Sequence, residues 1–160
     1  MATVNYYESD VVKKKGKYYL STKDTTDQQS ANFTSFKPYE GKGIIFNLSS
    51  SYDGWNAVRS TLFNDTINVK KGKYSLVLAG NGTKKVITGD NQCEFNIYGN
   101  CKTNIKAGNA ENTFYIDEHA PAMQGSLSKN TITAGNLKDT YRIKGGTNKI
   151  FDKAEIMSFQ

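Results

Sequence analysis

The chain has 160 residues, a formal charge of +6 and 37% hydrophobic residues, with ten Tyr and eight Phe against two Pro. That length suits one domain with a buried core, and a Thr-, Asn- and aromatic-rich composition poor in Leu and Ala favours strands and turns and excludes a Pro-rich linker or disordered tail. No apolar run reaches the roughly 18 residues of a membrane span, and the N-terminus "MATVNYYESD" lacks the charged and apolar regions of a signal peptide.

The first 70 residues are irregular. "KKGKYYL" (Lys14 to Leu20) echoes "KKGKYSL" (Lys70 to Leu76), and "GIIFNL" (Gly43 to Leu48) reads as a buried strand. "SYDGWNAVRSTLF" reads as a short helix or a loop around Trp55. This half is expected to be β as well, either as an N-terminal cap or as degenerate coils over residues 1–70. A separate small β domain ending near Lys70-Gly72 is the alternative. The lysine clusters Lys13-Lys14-Lys15-Gly16-Lys17, Lys70-Lys71-Gly72-Lys73 and Lys84-Lys85 read as solvated surface. A basic balance permits polyanionic partners. The clusters contain no arginine, the only ones being Arg59 and Arg142, so specific nucleic-acid readout is not expected.

Residues 71–160 carry a metre. Glycines stand at 80, 89, 99 and 108, and again at 135 and 145. Six residues beyond each lies a large apolar residue: Val86 after Gly80, Phe95 after Gly89, Ile105 after Gly99, Phe114 after Gly108, Tyr141 after Gly135 and Phe151 after Gly145. Ile97, Ile116 and Ile143 follow two residues later in three units, which is the period of a strand. Each unit is therefore a glycine turn followed by a brief strand, with those six residues stacked inward. Such units bury their apolar faces only by stacking. The sequence predicts an all-β fold, a parallel β-roll or β-helix-like solenoid of roughly nine-residue repeats. Between Asp117 and Ala134 the metre slips, and Pro121 points to a bulging loop followed by a further unit.

The metre resembles the repeats-in-toxin (RTX) β-roll of type I-secreted bacterial proteins, whose unit is G-G-x-G-x-D-x-U-x with U large and apolar. "AGNLKDTYRIKGG" (Ala134 to Gly146) and "LFNDTI" (Leu62 to Ile67) carry the likeness furthest, which covers residues 63–153. In that family turn carbonyls and the aspartate bind calcium between coils. The resemblance implies residual calcium ligands at Asp139 and Asp65. Elsewhere the aspartate position holds Lys84, Cys93, Thr103 and Asn112, and lysine repels a cation. The expectation is thus no cofactor, or Ca2+ at one or two residual sites, with stacked Asn side chains and larger inward residues replacing the lost ions.

No constellation of residues indicates catalysis. His119, the only histidine, lies in the expected loop, and no serine stands in a G-x-S-x-G setting. Cys93 and Cys101 with one histidine are too few for a structural zinc site. In a β-roll these thiols lie at opposite edges, whereas one unit per rung brings them within bonding reach, so their pairing stays open. The function expected is a non-enzymatic secreted structural or interaction module, as in an adhesin, surface layer or extracellular filament. Its place is extracellular or on the bacterial cell surface, with self-association or surface proteins and glycans as partners. Tyr6, Tyr7, Tyr18, Tyr19 and Trp55 are the candidate contact surface. The alternatives are a carbohydrate-binding module using Trp55 and Tyr52, or the C-terminal secretion scaffold of a larger RTX toxin or hydrolase.

Overall fold

The computed structural model describes residues 2–3, 11–21, 42–118, 127–154 and 158–159. Their strands, in chain order, are β1 (Ala2–Thr3), β2 (Val12–Lys14), β3 (Lys17–Ser21), β4 (Ile44–Ser49), β5 (Trp55–Arg59), β6 (Asp65–Lys71), β7 (Lys73–Leu78) and β8 (Thr83–Gly89). They continue with β9 (Cys93–Ile97), β10 (Lys102–Ala107), β11 (Thr113–Ile116), β12 (Lys129–Ala134), β13 (Thr140–Ile143), β14 (Thr147–Asp152) and β15 (Ser158–Phe159). No helix occurs among the described residues, and hence none long and apolar enough to cross a membrane.

From β4 onward successive strands alternate between two sheets. One has seven strands in the order β1-β5-β7-β9-β11-β13-β15; the other has eight, β14-β12-β10-β8-β6-β4-β3-β2. Each ladder is parallel except the β2–β3 hairpin, which pairs antiparallel at one end of the eight-stranded sheet. The fold is a parallel β-solenoid of about five turns. Each coil spends one strand on each sheet, so a full coil is two of the repeat units. Val86 pairs with Ile105, and Phe95 with Phe114, each nineteen residues on. The same ladders run through residues 44–71, where β5 pairs with β7 and β6 with β8. Trp55 lies in a strand, not in a helix or loop: Asn56 and Val58 are buried while Trp55, Ala57 and Arg59 are more exposed, the two-residue alternation of a sheet.

Like residues meet like in columns between the sheets. Phe46, Ile67, Val86, Ile105, Ile132 and Ile150 are paired in succession on one side, and Leu76, Phe95, Phe114 and Tyr141 on the other. Phe95 and Phe114 stack with centroids 4.6 Å apart, and Phe114 and Tyr141 with centroids 5.0 Å apart. That separation is the interstrand spacing itself, so rings at one register position are held face to face by the ladder. Val86, Phe95, Ile105, Phe114 and Tyr141 are fully buried. Phe151 is not: it is 59% exposed on β14, and Ile150 takes the inward place opposite Ile132. Counting six from Gly145 lands on Phe151, an outward position, because this unit is one residue shorter and its inward Ile150 stands five beyond Gly145.

The glycine metre has two physical sources. Gly80 and Gly99 adopt φ of 82° and 85°, which side-chain-bearing residues avoid. Gly108 and Gly135 are required by crowding: a Cβ on Gly108 would lie 2.5 Å from the Gly89 carbonyl oxygen, and one on Gly135 2.6 Å from that of Gly108. The slipped segment keeps the stack intact. Ile105 and Ile132 are twenty-seven residues apart yet paired, and β12 is the unit that follows the expected loop. The loop itself, with His119 and Pro121, lies outside the described residues.

Truncating the middle of the ring stack leaves a cavity bounded by two aromatic faces. Phe114→Ala is expected to lose about 3–5 kcal/mol in urea unfolding, whereas Phe151→Ser should stay within about 0.5 kcal/mol of the parent.

Candidate functional site

The strand position likened in the sequence to the RTX aspartate falls in two inward columns. On the eight-stranded sheet it holds Asp65, Lys84, Thr103, Asn130 and Asn148 in paired succession. On the seven-stranded sheet it holds Cys93, Asn112 and Asp139, each one residue before the paired Glu94, Thr113 and Thr140. All eight are polar or sulfur-bearing, and all face neighbouring coils rather than solvent.

Lys84 is fully buried, although its neighbour Lys85 is exposed. Its Nζ donates to the Thr61 carbonyl at 2.7 Å, to Asp65 Oδ2 at 2.8 Å and to the Phe63 carbonyl. An ammonium has three protons, and each meets one oxygen. The Asp65 carboxylate also accepts from Ile44 N, Thr61 N and Thr61 Oγ1. Two turn carbonyls and a carboxylate thus hold a cation that is part of the chain. Asp65 therefore serves Lys84, and its two oxygens also accept N–H and O–H donors from Ile44 and Thr61.

The other columns close with amides. Thr103 Oγ1 donates to Asn130 Oδ1 at 2.7 Å, and Asn130 Nδ2 to Asn148 Oδ1 at 2.8 Å. Cys93 N donates to Asn112 Oδ1, and Asn112 N to Asp139 Oδ1. A further ladder runs along the glycine turns, where Asn109 N donates to Asp90 Oδ1 and Asn136 N to Asn109 Oδ1. Asp139 is buried, and its Oδ2 has no hydrogen-bond partner among the described residues. Burial pushes its carboxyl up to about 6; the Asn112 amide opposes the rise, and the nearby Asp152 carboxylate adds to it. Asp152 Oδ2 accepts from Tyr141 Oη at 2.7 Å. No group of three or more His, Cys, Asp or Glu able to hold a metal gathers among the described residues. Cys93 and Cys101 are both free and buried, Cys93 opening β9 and Cys101 lying beyond its far end. Desolvation pushes the Cys93 thiol up to about 12 and that of Cys101 upward as well, so both are poor nucleophiles.

The described members of the aromatic surface expected from sequence, Tyr18, Tyr19 and Trp55, fall on two different sheets. Tyr18 and Tyr19 are half-buried on β3 in the eight-stranded sheet, while Trp55 is half-buried on β5 in the other. Tyr6 and Tyr7 lie outside the described residues. A different feature does assemble: the outer face of the eight-stranded sheet. Its exposed positions include Lys85, Lys102, Lys106, Lys129 and Lys149, separated by Thr and Asn. From β2 to β14 its strands contain only two carboxylates, Asp65 and Asp152. The first is buried against Lys84 and the second bonds Tyr141, so neither projects from the face. At the β3–β8 end the face dips into an open depression of about 390 Å³ lined by Lys17, Tyr18, Lys42, Asn64, Thr83 and Lys85. Alternation in "TKKVITG", "KTNIKA" and "TNKIFD" was the available signal, since the exposed lysines stand at one parity and the apolar residues at the other.

Two outcomes follow from the columns. Lys84→Ala should destabilise the fold by about 3–5 kcal/mol, because it strands the Asp65 carboxylate without its buried cation. Chelator should leave the melting temperature of the parent unchanged. For Asp139, a folded-state value above the ordinary carboxylate range means that the ionised form penalises the native state. Stability should fall as pH rises from about 4 to about 6, by about 1–3 kcal/mol. Asp139→Asn keeps an acceptor for Asn112 and should flatten that slope in pH-resolved urea melts. Comparison of the chain with protein-family models, with curated proteins and with solved structures finds no match in any of the three.

Proposed function

We propose that the chain is a non-enzymatic interaction module of the extracellular space or bacterial cell surface. In this reading it is a degenerate relative of the RTX β-roll that presents a broad basic face to anionic surface components. One observation carries the reading: five exposed lysines spread over four adjacent strands with no carboxylate projecting among them. Fixed like charges on a rigid sheet repel one another in the isolated protein, and a polyanion relieves that repulsion on contact. The acidic side chains Asp53, Asp90 and Glu111 stand in the turns that lead out of β4, β8 and β10 and not among the lysines of the face. The glycine metre and the inward position of Asp65 and Asp139 support the RTX relationship. The buried ammonium of Lys84 supports a version of that fold that carries its own cation.

The test separates the face from net charge. Binding to sulfated polysaccharide beads should fall at least about tenfold for the variant Lys85→Gln/Lys102→Gln/Lys129→Gln. It should change little for Lys73→Gln/Lys138→Gln/Arg142→Gln, which removes the same charge from β7, from β13 and from the turn before β13, away from that face. Equal losses in the two variants would reduce the effect to bulk charge and end the reading.

A further inference from the structure

The lysine face has a second feature that a soluble polyanion leaves unexplained. Along the edge where its strands begin, large apolar side chains stand in solvent. Leu62 is 60% exposed and Phe63 49% in the turn before β6, and Leu127 is 64% exposed just before β12. Leu62 and Phe63 are not loosely held. Phe63 N donates to Thr61 Oγ1, its carbonyl accepts from the buried Lys84, and Asn81 N donates to the Leu62 carbonyl. The backbone of this turn is pinned from the inside, and so its side chains are held outward. Lys102 and Lys129 are the first residues of β10 and β12, and the depression with Lys17, Lys42 and Lys85 opens beside the same edge. Apolar side chains and lysines therefore share one rim.

From this arrangement we infer that the partner of the basic face is an anionic lipid surface. The lysines would meet headgroup phosphates, and Leu62, Phe63 and Leu127 would enter the boundary between headgroups and acyl chains. Lysine clusters and protruding apolar residues are the two elements that interfacial binding combines. The spread of the lysines favours a plane over a thread: Lys102 and Lys129 are paired neighbours in one row, Lys85 and Lys149 belong to the next, and Lys106 to a third. Nucleic acid fits less well. Both arginines lie in the seven-stranded sheet, Arg59 over the Tyr98 ring and Arg142 over the Tyr115 ring, so the basic face has no guanidinium forks, and among the described residues its strands present no row of stacking aromatics. The inference rests on the interaction-module reading above and names its partner.

The experiment is co-sedimentation of the full chain with vesicles of phosphatidylcholine alone or mixed with phosphatidylglycerol. The expected result is binding to the mixed vesicles and not to the neutral ones. Leu62→Ser/Phe63→Ser/Leu127→Ser should weaken it at least about tenfold while leaving bead binding intact, and Lys102→Glu/Lys129→Glu should abolish it. Because all the substituted side chains are exposed, their melting curves should match the parent. A second readout is Phe63→Trp in a Trp55→Phe background, whose emission brominated lipid should quench. Bead binding without vesicle binding, or vesicle binding indifferent to the rim variant, would overturn the lipid inference and leave the interaction module standing. Loss of both kinds of binding would overturn both, and a preference for DNA over mixed vesicles at equal salt would reassign the partner.

Discussion

Each coil buries the polar starts of its own strands, and the groups there can bond only to the coil above or below. Everything else in the molecule depends on that constraint. A carbonyl or amide removed from water without a partner costs a few kcal/mol, so the fold cannot tolerate many. The chain answers with side chains of matching length at one register position: ammonium against carboxylate, hydroxyl against amide, amide against amide. Lys84 is the clearest case because its ammonium meets two carbonyls and a carboxylate of the neighbouring coil. Its side chain is fully buried, and its charge is delivered to oxygens of the previous coil.

With the turns held, the core and faces follow as columns. A parallel ladder places identical register positions about one strand spacing apart, which brings Phe95, Phe114 and Tyr141 into one ring stack. The same rule acts outside. Exposed lysines on successive strands are carried into a two-dimensional array by the ladder that stacks the isoleucines within. The basic face is thus an obligatory by-product of repeating the pattern with lysine at the outward parity. Its freedom from carboxylates is the part that the fold does not require.

Much of the architecture was legible in the sequence because one unit recurs. Glycine, Asn or Asp, then an apolar residue two or three positions into a strand is a pattern with few physical solutions. Two residues show where the legibility ends. Phe151 keeps the six-residue spacing from Gly145, but the last unit is one residue shorter between turn and core, and only the pairing of Ile150 with Ile132 reveals it. Lys84 was hidden because a lysine pair reads as surface, yet in a strand adjacent residues face opposite ways. One of the two had to point inward, and only pairing with Asp65 two strand segments earlier made that tolerable. The lysine face was legible only strand by strand: alternation marks its outward lysines, but they are scattered from residue 17 to residue 149 and meet only once alternate strands are assigned to separate sheets.

The long connection between β11 and β12 has a consequence for how such a stack assembles. It carries eight more residues than the nineteen-residue coils, yet Ile105, Ile132 and Ile150 remain paired across it. Closing a span of twenty-seven residues in place of nineteen adds only about 0.3 kcal/mol of chain entropy. The lengthened turn is therefore a shallow defect in a one-dimensional lattice, and a folding front advancing coil by coil crosses it with little delay. Register here is an agreement between nearest neighbours and not a property of chain length. A solenoid built this way can gain or lose sequence at its turns without rephasing what lies beyond them.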